Sequence, residues 1–145
     1  MKKFTKLLSL LLVFALALSV VACSSYGKVE KALKDIGYTV VENSDKEEQY
    51  KDDENVTNVH VFEKSTILGK EYVFVLEFKS TEKLVEYFNE SDTLKGLVSD
   101  ISKNEDVKAM HAKLEEFGLV CDNCIIIPTL TNATSVMPAI AELNK

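Results

Sequence analysis

The chain of 145 residues carries 23 acidic side chains against 17 basic ones, all lysine, for a net charge of −6. That balance excludes an electrostatic nucleic-acid binder, which needs a basic patch, and the lack of arginine removes the bidentate clamp for phosphate or carboxylate ligands. The length suits one domain with a full hydrophobic core.

Lys2, Lys3 and Lys6 precede an apolar stretch from Leu7 to Leu18, and small residues then lead to the run Val20-Val21-Ala22-Cys23. Positive charge favours the cytoplasmic side during insertion, the apolar stretch partitions into the bilayer, and small residues leave an extended backbone that a peptidase can grip. From Leu7 to Ala22 the stretch falls short of the roughly 20 apolar residues that cross a bilayer comfortably, and Ser9 and Ser19 interrupt it. An uncleaved anchor and a secretory signal with another cut site are the alternatives.

This leader with its terminal run resembles the lipobox region of bacterial lipoproteins, with Val20 standing where Leu is commoner. The resemblance implies that residues 1–22 are a signal peptide and that the Cys23 thiol receives a diacylglyceryl group. Cleavage then makes Cys23 the new N-terminus, acylated with chains such as palmitate and held on the extracytoplasmic face of the cell membrane. One acyl chain binds a bilayer only marginally, whereas a second makes the attachment durable. Residues 23–145 retain 14 lysines against 23 acids, a net −9, so this part is repelled by an anionic membrane surface instead of lying flat on it.

Ser24, Ser25 and Tyr26 read as a short tether. Val29, Ala32, Leu33 and Ile36 then follow helical spacing, with Gly37 as the left-handed stop and Tyr38 to Val41 as a short strand. The run from Glu42 to Asn55 holds seven acids and two lysines and predicts a mobile loop. It lacks the alternating Asp/Asn pattern and turn glycine of a calcium loop.

Val56 to Ile67 and Glu71 to Lys79 predict two long strands joined near Leu68-Gly69-Lys70, the centre of the sheet. In the second strand Tyr72, Phe74, Leu76 and Phe78 share one face and Val73 and Val75 the other, so at least one face needs a covering of helices. Three helices follow in the pattern. Ser80 or Thr81 caps one with Leu84, Val85 and Phe88; Asp92 caps a second with Leu94, Leu97, Val98 and Ile101; Asn104 caps a third with Val107, Met110, Leu114 and Phe117. Gly118 ends the third, Leu119-Val120 follows, and Cys124 to Ile127 suits a buried strand stopped by Pro128. A last helix starts near Ser135, takes Pro138 in its first turn and packs Ile140 and Leu143. The order of helix, glycine and strand occurs at both Leu33–Tyr38 and Leu114–Leu119, which a general helix-to-strand joint explains without a repeat.

Three cysteines in an exported chain leave one thiol to explain, and lipidation of Cys23 accounts for it. A disulfide between Cys121 and Cys124 is allowed in an oxidising compartment, but only across a turn. Extended residues three apart are separated by about 10 Å, beyond the ~7 Å limit, and Asp122-Asn123 supplies suitable turn residues. The Cys-x-x-Cys spacing also fits a thiol-disulfide oxidoreductase, yet there the pair opens a helix, whereas here an apolar strand follows. His60 and His111 with these cysteines have the composition of a zinc site without its spacing. The standard nucleophile, phosphate-loop and dinucleotide motifs are absent.

These readings predict an α+β fold with a mainly antiparallel sheet of about four strands and helices packed chiefly on one face. They assign no catalytic residue, metal site or cofactor. The function expected is a non-enzymatic binding or interaction module of the cell envelope, contacting a protein or small ligand through the uncovered sheet face. The alternative is an envelope thiol-disulfide redox protein using Cys121 and Cys124.

Overall fold

A five-stranded antiparallel sheet organises the computed structural model, which describes residues 25–42, 44–98 and 106–145. Cys23 and the leader, Ser24, Ile101 and Asn104 lie outside the described residues. Helix α1 (Ser25–Asp35) leads to β1 (Thr39–Val41), then a 3-10 turn at Asp45–Glu47 and the short α2 (Glu48–Lys51). Strands β2 (Val56–Thr66) and β3 (Gly69–Phe78) precede α3 (Thr81–Glu90), α4 (Asp92–Leu97) and α5 (Val107–Phe117); β4 (Val120–Cys121), β5 (Cys124–Ile127) and α6 (Ala133–Leu143) complete the order. No helix among the described residues is long and apolar enough to cross a membrane.

The sheet runs β1-β2-β3-β5-β4, with the β2–β3 hairpin at its centre and all neighbours antiparallel. The fold is therefore α+β, with five strands where about four were expected. The extra strand is β4, which the Asp122-Asn123 turn folds back onto β5, Val120 opposite Ile125 and Cys121 opposite Cys124. The hairpin turn is at Ile67-Leu68, one residue earlier than predicted, because Thr66 pairs with Gly69 and its hydroxyl bonds the Leu68 amide and the Gly69 carbonyl.

Helices cover both faces of the sheet instead of gathering chiefly on one. Alternate β3 residues point to opposite sides, and both sets are apolar. Leu76 and Phe78 pack with Leu84, Phe88, Leu94, Met110 and Leu114 from α3, α4 and α5. Val73 and Val75 pack with Val29 and Leu33 of α1 and Val136 and Ile140 of α6. Each face is thus removed from water at about 25 cal/mol per Å² of apolar area.

Local signals set most helix ends. Ser80 Oγ accepts from the Lys83 amide, as expected for α3. Ser91, not Asp92, caps α4 by accepting from the Leu94 amide, and Asp92 falls in the first turn. Asp106, not Asn104, caps α5 through the Lys108 amide. Both predicted glycine stops are left-handed, Gly37 at φ 99° and Gly118 at φ 80°. In each the paired closing bonds recur: Gly37 N–H to Lys34 O and Tyr38 N–H to Leu33 O, Gly118 N–H to Glu115 O and Leu119 N–H to Leu114 O. These are the two bonds of a Schellman ending, which explains the recurrence without a repeat.

Other departures from expectation lie near helix ends. Ser25 and Tyr26 belong to α1 and are not a tether. Phe117 is 40% exposed and Leu143 36%, at the last residues of α5 and α6 where the packed stripe runs out. Helix α6 starts at Ala133 because the Asn132 carbonyl accepts from Val136, so Pro138 lies in the interior and not in the first turn.

A candidate binding cleft beside the central strand

The acidic run between β1 and β2 contains one aromatic side chain, Tyr50, and that residue decides its fate. In place of a featureless loop, the 3-10 turn and α2 fold against the sheet, with the Tyr50 ring 5.1 Å from that of Phe74 on β3. Burying an aromatic ring is worth more than the ordering of a few residues costs only when it meets another apolar surface. Phe74 supplies that surface.

Next to this pair lies a cleft of about 510 Å³. Its apolar lining comes from Tyr50, Phe74, Leu97, Ile127, Pro128 and Leu130, and its polar lining from Gln49, Asp92, Thr93 and Thr129. Volume and lining match the small-ligand class: an apolar body with a few polar groups to fix orientation. Gly96 of α4 also faces it, and a Cβ built there would meet no atom within 4 Å. Glycine costs a helix interior about 1 kcal/mol relative to alanine. Here it leaves space over the cleft where a side chain would project.

The opposite wall depends on Asn132, a side chain absent from the sequence-based candidates. Pro128 ends β5, so β3 loses its neighbour beyond the Phe74–Ile127 pair. Asn132 Nδ2 donates to the stranded Tyr72 carbonyl at 3.0 Å, while its Oδ1 accepts from the Thr129 amide at 2.7 Å and hydroxyl at 3.1 Å. The side chain is 2% exposed and acts as a bolt between β3 and the Pro128–Leu130 wall. A proline stop followed closely by asparagine is the only trace of this in the sequence.

The cysteines lie on the other face. Cys121 and Cys124 stand opposite each other across the predicted turn, where Asp122 adopts φ 51°, and both are buried free thiols. Burial, reinforced by Asp122, pushes the Cys121 thiol up to about 11. Burial and the nearby Glu77 carboxylate push Cys124 up further. Thiol-disulfide exchange needs an accessible thiolate at moderate pH, and this environment favours the opposite state.

The histidines are far apart in role and partners. His60 Nε2 lies 2.9 Å from Glu77 Oε2, and the Tyr26 ring stacks on the imidazole at 3.6 Å between centroids. The hydrogen bond from His60 holds the Glu77 carboxyl below its usual value. This cluster fastens α1 to the sheet. His111 Nε2 lies 2.6 Å from the Asp122 carbonyl and its Nδ1 3.4 Å from Glu115, which fixes the β4–β5 turn against α5. Among the described residues, no three His, Cys, Asp or Glu side chains converge in a way that could hold a metal ion.

No protein-family model matches the chain, and neither a curated protein nor a solved structure is detectably similar to it.

Proposed function

We propose that the chain is a lipid-anchored lipoprotein of the extracytoplasmic membrane face, whose domain binds a small ligand in the cleft between α2, α4 and the Pro128–Leu130 wall. The cleft is the observation that carries the binding part of this reading: an aromatic pair and a glycine-opened wall form an apolar recess on a sheet whose two faces are otherwise covered. The leader with Cys23 supports the anchoring part. Apolar recesses of this size with few polar groups are typical of ligand sites.

The two parts fit sterically. Ser25 Oγ donates to Asp122 Oδ2 at 2.6 Å, and the Phe78 amide donates to Asn123 O at 2.9 Å, so the start of α1 adjoins the end of β3. A lipid on Cys23 therefore holds that end at the membrane, with Phe74 about 13 Å further along the strand at ~3.3 Å per residue.

Intact mass of the membrane-extracted protein tests the anchor, with the sequence from Cys23 to Lys145 plus a diacylglyceryl group expected. A mature chain beginning elsewhere and free of lipid would remove it. Methyl NMR of the lipidated protein in nanodiscs, titrated with benzyl alcohol, tests the cleft. The Leu97, Ile127 and Leu130 methyls should shift saturably while those of Leu33 and Ile140 stay still. Movement of the second set alone would refute the assignment.

A further inference from the structure

We infer that the ligand of this cleft is an organic cation, an aromatic or aliphatic body carrying an ammonium group; the inference rests on the cleft being a binding site. Three observations point the same way. The first is the lining itself, which among the described residues contains one charged side chain, Asp92, and no lysine or histidine. The Asp92 side chain is 99% exposed, and Lys95 engages one of its oxygens, Oδ1, at 3.1 Å. An anionic ligand would meet no positive side chain among the residues that line the cleft.

The second observation is the charge of the adjoining wall. Residues 45–54 contain Asp45, Glu47, Glu48, Asp52, Asp53 and Glu54 against Lys46 and Lys51. Both lysines are already engaged, Lys51 with Glu47 at 3.3 Å and Lys46 over the Tyr72 ring. The segment that supplies Gln49 and Tyr50 to the cleft therefore carries a net charge of −4, and such a concentration of one sign raises the local concentration of ligands of the other.

The third is aromatic. Tyr50 and Phe74 are half-buried with their rings inclined at 56°, and both line the cleft. Ring faces attract cations by about 0.5–2 kcal/mol, most strongly where water is excluded. The same row of the sheet already holds one: the Lys46 ammonium sits 4.5 Å from the centroid of Tyr72, two residues before Phe74 and on the same face. A ligand ammonium in the cleft would repeat that contact on Phe74 and Tyr50.

The test compares three probes built on one phenylmethyl body: benzyltrimethylammonium, benzyl alcohol and phenylmethanesulfonate. Each is titrated by saturation-transfer NMR against the full lipidated protein in nanodiscs of zwitterionic lipid, with empty discs subtracted. Benzyltrimethylammonium should bind at least about twofold tighter than benzyl alcohol, the lower range of a cation–π contact, and the sulfonate weakest. Tyr50→Leu keeps apolar volume but removes a ring and should shrink the preference for the ammonium probe. Gly96→Leu fills the recess and should abolish binding of all three, with circular dichroism verifying that both variants are folded. If the sulfonate binds as tightly as the ammonium while Gly96→Leu still blocks both, the cation inference is overturned and the cleft stands. If no probe responds to Gly96→Leu, the cleft itself fails as a site and the inference falls with it.

Discussion

Gly118 sits where the backbones of α5 and α6 come close together, and replacing it with alanine tests how the two helices meet. A Cβ at this position would lie 1.8 Å from the Met137 carbonyl oxygen, 2.7 Å from its carbon and 3.0 Å from the Ala141 amide nitrogen, all α6 backbone. Real Cβ atoms essentially never approach below 3.0 Å, so the two backbones must part by at least 1.2 Å, the difference between 3.0 and 1.8 Å. Backbone cannot rotate aside as a flexible side chain can. Separation also pulls on Asn144, whose Nδ2 donates to Glu115 O at 2.9 Å and Val120 O at 2.8 Å. The left-handed dihedral adds its own strain, about 1–2 kcal/mol for a residue with a Cβ, and overpacking typically costs 1–3 kcal/mol. Together Gly118→Ala should lose roughly 2–5 kcal/mol. With a urea m-value of about 2 kcal/mol/M, mid-range for small domains, the midpoint should fall by about 1–2.5 M. Urea unfolding followed by far-UV circular dichroism gives that midpoint. Gly118→Asn separates the two causes, because asparagine tolerates the left-handed region but carries a Cβ. A Gly118→Asn protein as stable as the parent would show that the dihedral matters and the contact with Met137 does not, refuting the steric reasoning.

Gly96→Ala should stabilise the protein by up to about 1 kcal/mol, because the helical position is open and alanine is the better helix former; a loss in the same urea assay would mean the space over α4 is not free. Asn132→Ala should cost about 1–3 kcal/mol by leaving the Tyr72 carbonyl and Thr129 amide without their partner, and should broaden the Leu130 methyl signal; an unchanged midpoint would show that Asn132 does not bolt the wall. Glu77 has a depressed carboxyl value in the folded state, so its pairing with His60 supports folding above the ordinary Glu range and is lost as pH falls through the folded value. Glu77→Gln should therefore flatten the acid side of the stability profile, and a variant with the parent's acid slope would contradict that linkage. Cys121 is raised to about 11, so its contribution is complete below the unfolded thiol value near 9 and disappears as pH rises through 11. Maleimide labelling at pH 8 should accordingly be slow in the native protein and fast in urea, with rapid native labelling the contrary result.

Where sequence reading succeeded, the cause was local. Gly37 and Gly118 stop their helices because no other residue adopts a left-handed dihedral so cheaply, and the Ser80 cap is likewise written within four residues. Alternation along β3 fixed which residues share a face. The same alternation could not say what covers each face, and the expectation of helices chiefly on one side was corrected by α1 and α6 packing on the other. Mistaken caps at Asp92 and Asn104 have a similar origin, since several acids and amides crowd each helix start and only backbone geometry selects among them.

The candidate cleft was almost invisible. Its lining comes from β3, the end of β5, a helix of four residues inside an acidic run, and a short helix after Ser91. No periodicity links Tyr50 to Phe74, or Asn132 to Tyr72, because these contacts exist only after the chain has closed loops of many residues. What the sequence determined by itself were the acidic balance, the α+β class and the helix stops, each a property of composition or of a few neighbouring residues. What only the tertiary structure decided was the recess, because an unfilled space is a relation between distant segments and leaves no local pattern, apart from a glycine where a better helix former would otherwise stand.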